Sequence, residues 1–152
     1  MSHTGNNNPL SRLQSGNVNV EPLSHKTFLF AYRIIEQLYG GGSDVLKEIT
    51  MADDGVVIYD GAVPVGVLLV NFNPINLEYP LVMDCCVLDA YKGTKWAIRL
   101  LRELKRLVKS DAYYIIYGGG EYLYKGAKNS IEAIVLTKKI GEKNGYTLIR
   151  NR

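Results

Sequence analysis

The chain has 152 residues, of which 47% are apolar and 22% are charged, a composition typical of one globular domain with a substantial core. No apolar run approaches the ~20 residues needed to cross a bilayer, the polar start is unlike a signal peptide, and the two histidines lack metal-ligand spacing. The net charge of +3 is mild, and we expect a cytoplasmic protein with no membrane span and no metal site.

The first 17 residues form a polar segment that is rich in Asn, Ser and Gly. Such a segment cannot bury a core of its own, so we predict a tail over residues 1–17 and a single domain over residues 18–152. Because a tail of this kind frays in isolation, an ordered tail would indicate a protein partner in a larger assembly.

Two helices are predicted after a first strand over Val18 to Leu23. The first helix begins near Ser24, a plausible N-cap, and ends at Gly40-Gly41-Gly42. Its helical spacing places five apolar residues on one face: Phe28, Ala31, Ile34, Ile35 and Leu38. Ser43 or Asp44 caps a second, shorter helix that runs through Ile49.

A β-hairpin is predicted in the segment VVIYDGAVPVGVLLVNF. Asp60-Gly61 lies between two runs of β-branched residues, which is a strong signal for a tight hairpin turn. Gly66, inside the second run, indicates a bulge or a close approach of two backbones.

The segment PLVMDCCVLDAYKGTKWAIRLL passes from an apolar strand directly into a helix. Its short, Gly-containing junction exposes the unpaired N–H groups of a helix N-terminus, which suit a phosphate group. Cys85 and Cys86 are adjacent in the strand and point to opposite faces, so we expect two free thiols in a reducing compartment.

The helix after this junction has two contrasting faces. Its apolar face is predicted to lie in the core and comprises Trp96, Ala97, Leu100, Leu101, Leu104, Leu107 and Val108. The opposite face carries Lys92, Lys95, Arg99, Arg102, Arg106 and Lys109. A solvated surface is the simplest interpretation, and an anionic partner is the alternative. Nucleic acid is not expected, because the face has no aromatic residue for base stacking.

The remaining elements predict a strand over Ala112 to Tyr117, a break at Gly118-Gly119-Gly120, a helix over Ser130 to Lys143 and a last strand over Tyr146 to Ile149. The alternation of strands and helices predicts a single-domain α/β fold. We expect a mixed central sheet of about six strands flanked by helices.

The strand-to-helix junction resembles the acyl-CoA pyrophosphate loop of the GNAT acyltransferase superfamily. Lys92 takes the basic position and Ala97 the last small one, whereas Lys95 stands where the family has its central Gly. The hairpin with Gly66 and the segment Glu142 to Tyr146 also resemble family features. The resemblance implies a GNAT-like fold and an acetyl-CoA site formed by Cys86, Val87, Leu88, Lys92, Gly93, Thr94, Lys95 and Ala97.

The catalytic groups that the resemblance implies are less complete. Asp84 lies near the position where the family often places a Glu, and it is the candidate general base. The family's usual acid is a Tyr in the last helix, but the corresponding position is Gly141 or, in another register, Thr137. Tyr122 or Tyr124 would have to supply the phenol instead.

Two functions follow from the resemblance. The first is a catalytically degenerate GNAT-like protein without a cofactor, acting as a binding or structural subunit of an assembly such as a phage virion. Compact, degenerate proteins of this kind occur among minor virion components of tailed bacteriophages, and this chain is similar to them in size and plan. The second is an active N-acetyltransferase that uses acetyl-CoA and acetylates an amine.

Overall fold

The computed structural model describes residues 17–40, 42–75, 77–117, 120–127 and 130–135. The first half comprises β1 (Val18–Pro22), α1 (Phe28–Tyr39), α2 (Ser43–Met51), β2 (Asp54–Asp60) and β3 (Val63–Asn71). The second half comprises β4 (Leu81–Val87), a 3₁₀ turn (Asp89–Tyr91), α3 (Lys95–Leu107), β5 (Ala112–Tyr117), β6 (Gly120–Ala127) and β7 (Ser130–Val135). None of the helices in these ranges is both long and apolar enough to traverse a bilayer.

The strands form one mixed sheet in which they lie side by side in chain order. Neighbouring strands are antiparallel except β4 and β5, which are parallel and are joined by α3. The predicted α/β class and mixed sheet are therefore confirmed. The strand count differs from about six: five strands (β1–β5) with the three helices form the predicted α/β arrangement, and β6 and β7 extend the described sheet to seven.

The two faces of the sheet carry separate cores. On one face, α1 and α2 contribute Ala31, Ile34, Ile35, Val45 and Ile49, which pack against residues of the strands. On the other face, α3 contributes Trp96, Leu100 and Leu104. The sheet is thus covered on both sides, as the apolar runs of β2, β3 and β4 require.

The start of α1 differs from the prediction. The helix begins after Thr27, not near Ser24. Thr27 explains the shift, because its hydroxyl donates to the carbonyl of Pro22 (2.9 Å) and accepts from the amide of Ser24 (2.9 Å). These bonds hold residues 24–27 in a turn that precedes the helix.

The β2–β3 hairpin is confirmed, with Gly61 at φ 60° in the turn. Gly66 marks both features that were expected of it. The register shifts next to it, since Ile58 pairs with Gly66 but Tyr59 pairs with Pro64. A Cβ at Gly66 would lie 3.0 Å from Cγ1 of Val87 and 3.3 Å from the carbonyl oxygen of Cys86, so glycine allows β4 to approach closely here.

The predicted helix over Ser130 to Lys143 is wrong at residues 130–135, which form β7 and pair antiparallel with β6. The segment is rich in β-branched residues, and pairing with β6 satisfies its backbone, so the strand prevails over the helical spacing. The rest of that helix, the predicted last strand and the segment from Glu142 to Tyr146 lie outside the described residues. The tail of residues 1–16 does too.

One residue of α3 is misplaced by the sequence prediction. Leu101 was expected in the core, but it is 53% exposed. The buried stripe of the helix is instead turned toward Glu103, which is only 7% exposed. The partners of Glu103 explain this rotation, because Arg99 and Arg106 satisfy its carboxylate at the edge of the core.

Candidate active site

The candidate site lies where β4 leaves β5. β4 pairs with β3 along its whole length, but it pairs with β5 only at Leu81–Tyr114 and Val82–Ile115. From Met83 onward, the described parts of β4 and β5 share no ladder pairs, so the sheet opens between the carboxyl ends of two parallel strands. Ligands of open α/β sheets bind at such ends.

A bulge bends β4 at the start of this opening. Val70 of β3 pairs with Val82, and the next residue back, Leu69, pairs with Asp84, which leaves Met83 as the extra residue. A bulge adds local twist and redirects the strand. It therefore helps β4 to turn away from β5.

The loop after β4 is built from short backbone hydrogen bonds. The amide of Leu88 donates to the carbonyl of Val65 in β3 (2.8 Å), and the amide of Tyr91 donates to the carbonyl of Leu88 (2.8 Å). Gly93 then takes φ 73°, the left-handed region in which a side chain is strained. Glycine at this position lets the chain turn directly into α3.

The N-terminus of α3 is not capped by its own N-cap residue. Thr94 occupies the cap position, but its hydroxyl donates to the carbonyl of Tyr91 (2.5 Å) and makes no cap hydrogen bond. The amide of Ile98 donates to the carbonyl of Thr94 (3.2 Å). The three preceding amides, of residues 95–97, therefore have no acceptor within the helix, and together with the helix dipole they can hold an anion.

The two lysines of the loop have different surroundings. Lys92 Nζ lies 3.1 Å from Asp89 Oδ1, in an ion pair whose side chains are 68% and 81% exposed. Such an exposed pair contributes little to stability, so Lys92 can readily exchange the Asp89 carboxylate for another anion. Lys95 Nζ lies 5.2 Å from the ring centroid of Trp96, so its side chain extends along the indole.

Three residues that the sequence did not single out as site residues hold the loop in place. Tyr91 donates its hydroxyl to Oδ2 of Asp60 (2.7 Å), at the end of β2. The indole Nε1 of Trp96 donates to the carbonyl of Tyr59 (3.2 Å). The rings of Tyr91 and Trp96 meet edge to face, with centroids 5.1 Å apart. A Tyr immediately before the basic residue and an Asp in the hairpin turn were the only signals in the sequence.

Asp84, the candidate base, lies midway along β4 and is 0% exposed. Its pairing with Leu69 places it on the sheet face that α1 and α2 cover. Its neighbour Cys85 is also affected, because burial and then the charge of Asp84 raise the pKa of the Cys85 thiol to about 12. Both cysteines are free thiols, as expected.

The candidate acids lie on β6, where Tyr122 pairs with Ile115 and Tyr124 pairs with Tyr113. For both tyrosines the structure describes the backbone only. Because β5 lies between β6 and β4, the two backbones are about 10 Å from β4, at the usual strand spacing. Gly141 and Thr137 lie outside the described residues.

The basic face of α3 is partly neutralised within the helix. Arg99 Nε lies 3.1 Å from Glu103 Oε2, and Arg106 Nη2 lies 2.8 Å from Glu103 Oε1. Burial opposes the charge of Glu103, but the hydrogen bonds and charges of Arg106 and Arg99 outweigh it and lower its pKa below the ordinary 4.5. Two of the predicted surface cations therefore have a structural role.

Comparisons with known proteins identify the fold. No protein-family model matches the sequence, and no curated protein matches it. A GNAT-family acetyltransferase from Bacillus cereus is 16% identical, with a TM-score of 0.56 over 82% of this chain and 99% of that chain. A GNAT-family acetyltransferase from Brucella melitensis, in complex with acetyl-CoA, is 9% identical, with a TM-score of 0.55 over 82% and 97%.

A third solved structure is Naa50 of Arabidopsis thaliana in complex with the bisubstrate analogue CoA-Ac-MVNAL. It is 18% identical, with a TM-score of 0.52 over 64% of this chain and 70% of that chain. At these identities the likeness shows the fold, and the chain has the fold of GNAT acetyltransferases.

Proposed function

We propose that this protein binds acetyl-CoA or free CoA at the opening between β4 and β5, with the pyrophosphate at the N-terminus of α3. The observation that carries the proposal is the uncapped helix N-terminus beside the end of β4, where Thr94 withholds its hydroxyl from the helix amides. A Brucella melitensis protein that shares the fold is in complex with acetyl-CoA, which supports acetyl-CoA as the ligand.

The residues of the loop fit an anionic cofactor. Amides at a helix N-terminus bind phosphate without a specific side chain, and Gly93 provides the turn that places them. Lys95, in place of the family's Gly, adds a positive charge. Its side chain lies along the Trp96 ring, beside the helix. The full proposed set is Cys86, Val87, Leu88, Lys92, Gly93, Thr94, Lys95 and Ala97.

We propose further that binding is not coupled to efficient acetyl transfer. A general base must reach the attacking amine, directly or through one water, whereas Asp84 is 0% exposed. The backbones of the two candidate acids are separated from β4 by a whole strand. These placements support a degenerate enzyme, and an active N-acetyltransferase is the alternative that the activity assay below decides.

A role as a subunit of a larger assembly, such as a virion, is the second proposal. Ile98 and Leu101 are each 53% exposed and lie one turn apart on α3, next to the basic residue Lys105. Apolar side chains at such a position favour contact with another protein. Replacing both residues by Asp should leave folding intact and abolish co-purification from the native source. Retained co-purification would contradict the proposal.

The binding proposal is tested with Lys95→Glu and its matched control, Lys105→Glu, at the other end of α3. An acid in the first turn of a helix is favourable, so Lys95→Glu should leave the melting temperature of the ligand-free protein unchanged or raised. The same change places a negative charge at the pyrophosphate, so we expect CoA affinity to fall about tenfold. Calorimetric titration and melting curves with CoA measure both effects.

Lys105→Glu is expected to bind CoA as the wild type does. For the wild type, CoA at ~100 times its dissociation constant should add about 2.7 kcal/mol to the free energy of unfolding. An unchanged wild-type melting temperature at millimolar CoA, or equal losses in the two variants, would overturn the binding proposal. For the activity, we expect acetyl-CoA to release no thiol above the buffer rate in the presence of primary amines. Turnover that Asp84→Asn abolishes would instead establish the acetyltransferase.

A further inference from the structure

The hydrogen bond between Tyr91 and Asp60 joins the loop between β4 and α3 to the tip of the β2–β3 hairpin. The two residues are 31 positions apart in the sequence, and the hydroxyl-to-Oδ2 distance is 2.7 Å in a partly buried setting. Asp60 is the last residue of β2 and pairs with Val63 across the turn. The acceptor is therefore part of a hairpin that is itself held within the sheet.

Tyr91 also controls the cap of α3 through its backbone. Its carbonyl accepts the hydroxyl of Thr94 (2.5 Å) and the amide of Thr94 (3.3 Å). A Thr at an N-cap ordinarily turns its hydroxyl oxygen toward the amides of the first helical turn. Here the hydroxyl donates to the Tyr91 carbonyl and makes no cap hydrogen bond, so no side chain caps the amides of residues 95–97.

The ring of Tyr91 has a packing contact in addition to its hydroxyl bond. It packs edge to face on Trp96, and Trp96 donates to the carbonyl of Tyr59 in the adjacent strand. Burial, followed by the hydrogen bond and charge of Asp60, raises the pKa of Tyr91 to about 12, so the hydroxyl remains a donor at neutral pH. Removing the hydroxyl alone would therefore test the hydrogen bond without removing the packing.

We propose that the Asp60–Tyr91 hydrogen bond is a positioning contact that keeps Thr94 from capping its own helix and so sets the affinity for the cofactor's phosphates. The inference rests on the proposed CoA binding. Neither residue touches the cofactor in this scheme: Asp60 acts through Tyr91, and Tyr91 acts through Thr94. Loss of the contact frees the Thr94 hydroxyl to compete with phosphate for the amides.

The test compares Tyr91→Phe, Asp60→Ala and the double variant with the conservative variant Asp60→Asn. The side-chain oxygen of Asn can still accept from Tyr91. We expect CoA to bind about tenfold more weakly to the first two variants, no further loss in the double variant, and near wild-type binding to Asp60→Asn. Asp53→Ala is the matched control, because it removes the bond from Phe72 N to Asp53 Oδ2 (2.7 Å) at the other end of the same strand pair.

A second measurement does not depend on CoA. In ¹⁵N-labelled, ligand-free protein, the amide resonances of residues 95–97 should shift in Tyr91→Phe and Asp60→Ala, but not in Asp60→Asn or Asp53→Ala. Unshifted resonances in Tyr91→Phe would overturn the positioning role, as would additive losses of affinity in the double variant. Shifted resonances in a protein that binds no CoA would support the positioning of the cap and would count against the proposed function alone.

Discussion

The loop between β4 and α3 and the region of the candidate catalytic residues differ in how completely they are assembled. The loop between β4 and α3 is fixed to the β2–β3 hairpin by a backbone bond from Leu88, a hydroxyl bond from Tyr91 and an indole bond from Trp96. The candidate base, Asp84, is shielded from solvent, and the backbones of the candidate acids are a strand away from β4.

This difference shows that binding and chemistry place unequal demands on a sequence. A phosphate site made of helix amides depends on backbone geometry, which one glycine and a few anchors can preserve. Proton transfer needs two particular side chains at matched distances from a substrate. Under the proposed function, this fold keeps a loop that binds CoA without the side chains that acetyl transfer needs.

The largest effect is expected from removing the anchor of the loop. Trp96→Ala deletes a fully buried ring and its hydrogen bond to Tyr59, and we expect a loss of about 3–5 kcal/mol in the free energy of unfolding. Urea denaturation followed by circular dichroism measures this loss. Ile98→Ala, on the exposed side of the same helix, should change stability by less than about 0.5 kcal/mol. Equal losses would mean that α3 is not packed as described.

A smaller effect is expected from replacing a glycine, and it distinguishes the loop between β4 and α3 from the β2–β3 turn. Gly93 (φ 73°) and Gly61 (φ 60°) both adopt left-handed backbone, and a Cβ at either position would meet nothing within 4 Å. Replacing either by Ala should therefore cost about the same, roughly 1–2 kcal/mol of strain. Only Gly93→Ala should also weaken CoA binding, which titration of both variants measures. A similar loss of affinity in Gly61→Ala would remove the distinction between the two regions.

The smallest effect concerns the far half of α3 and depends on pH. The pKa of Glu103 is lowered in the folded protein, so its contribution to stability is present above the ordinary value of 4.5 and is lost as the pH falls through the folded value. Thermal melts between pH 7 and pH 3 should lose stability less steeply in Glu103→Gln. Glu36→Gln, at an exposed position, should follow the wild-type curve, and an identical slope for Glu103→Gln would contradict the ion pairs.

Local signals in the sequence predicted most of the elements that form the loop. Asp60-Gly61 marks the hairpin, Gly66 the close approach of β4, and Gly93 the entry into α3, because each residue type answers a backbone requirement within a few residues. The strand over Ala112 to Tyr117 was also predicted with the bounds observed.

The remaining features depend on contacts between distant parts of the chain. The bond between Tyr91 and Asp60 joins residues far apart in sequence. The burial of Asp84 depends on which face of the sheet α1 and α2 cover, and no local pattern reveals that face. Residues 130–135 carry both helical spacing and β-branched side chains, and pairing with β6 decides between them. Leu101 illustrates the same limit, since the ion pairs of the buried Glu103 with Arg99 and Arg106 favour a helix face other than the simplest apolar one.

The short seam between β4 and β5 has a mechanical consequence. β4 has six ladder pairs with β3, and β5 has six with β6, but β4 and β5 share only two pairs with each other. The described sheet therefore consists of two antiparallel blocks, β1–β4 and β5–β7, joined by a short parallel ladder. Thermal fluctuations, or a pulling force, should separate these two blocks between β4 and β5 before either block loses its own hydrogen bonds. A ligand could then enter between the blocks without unfolding of the protein.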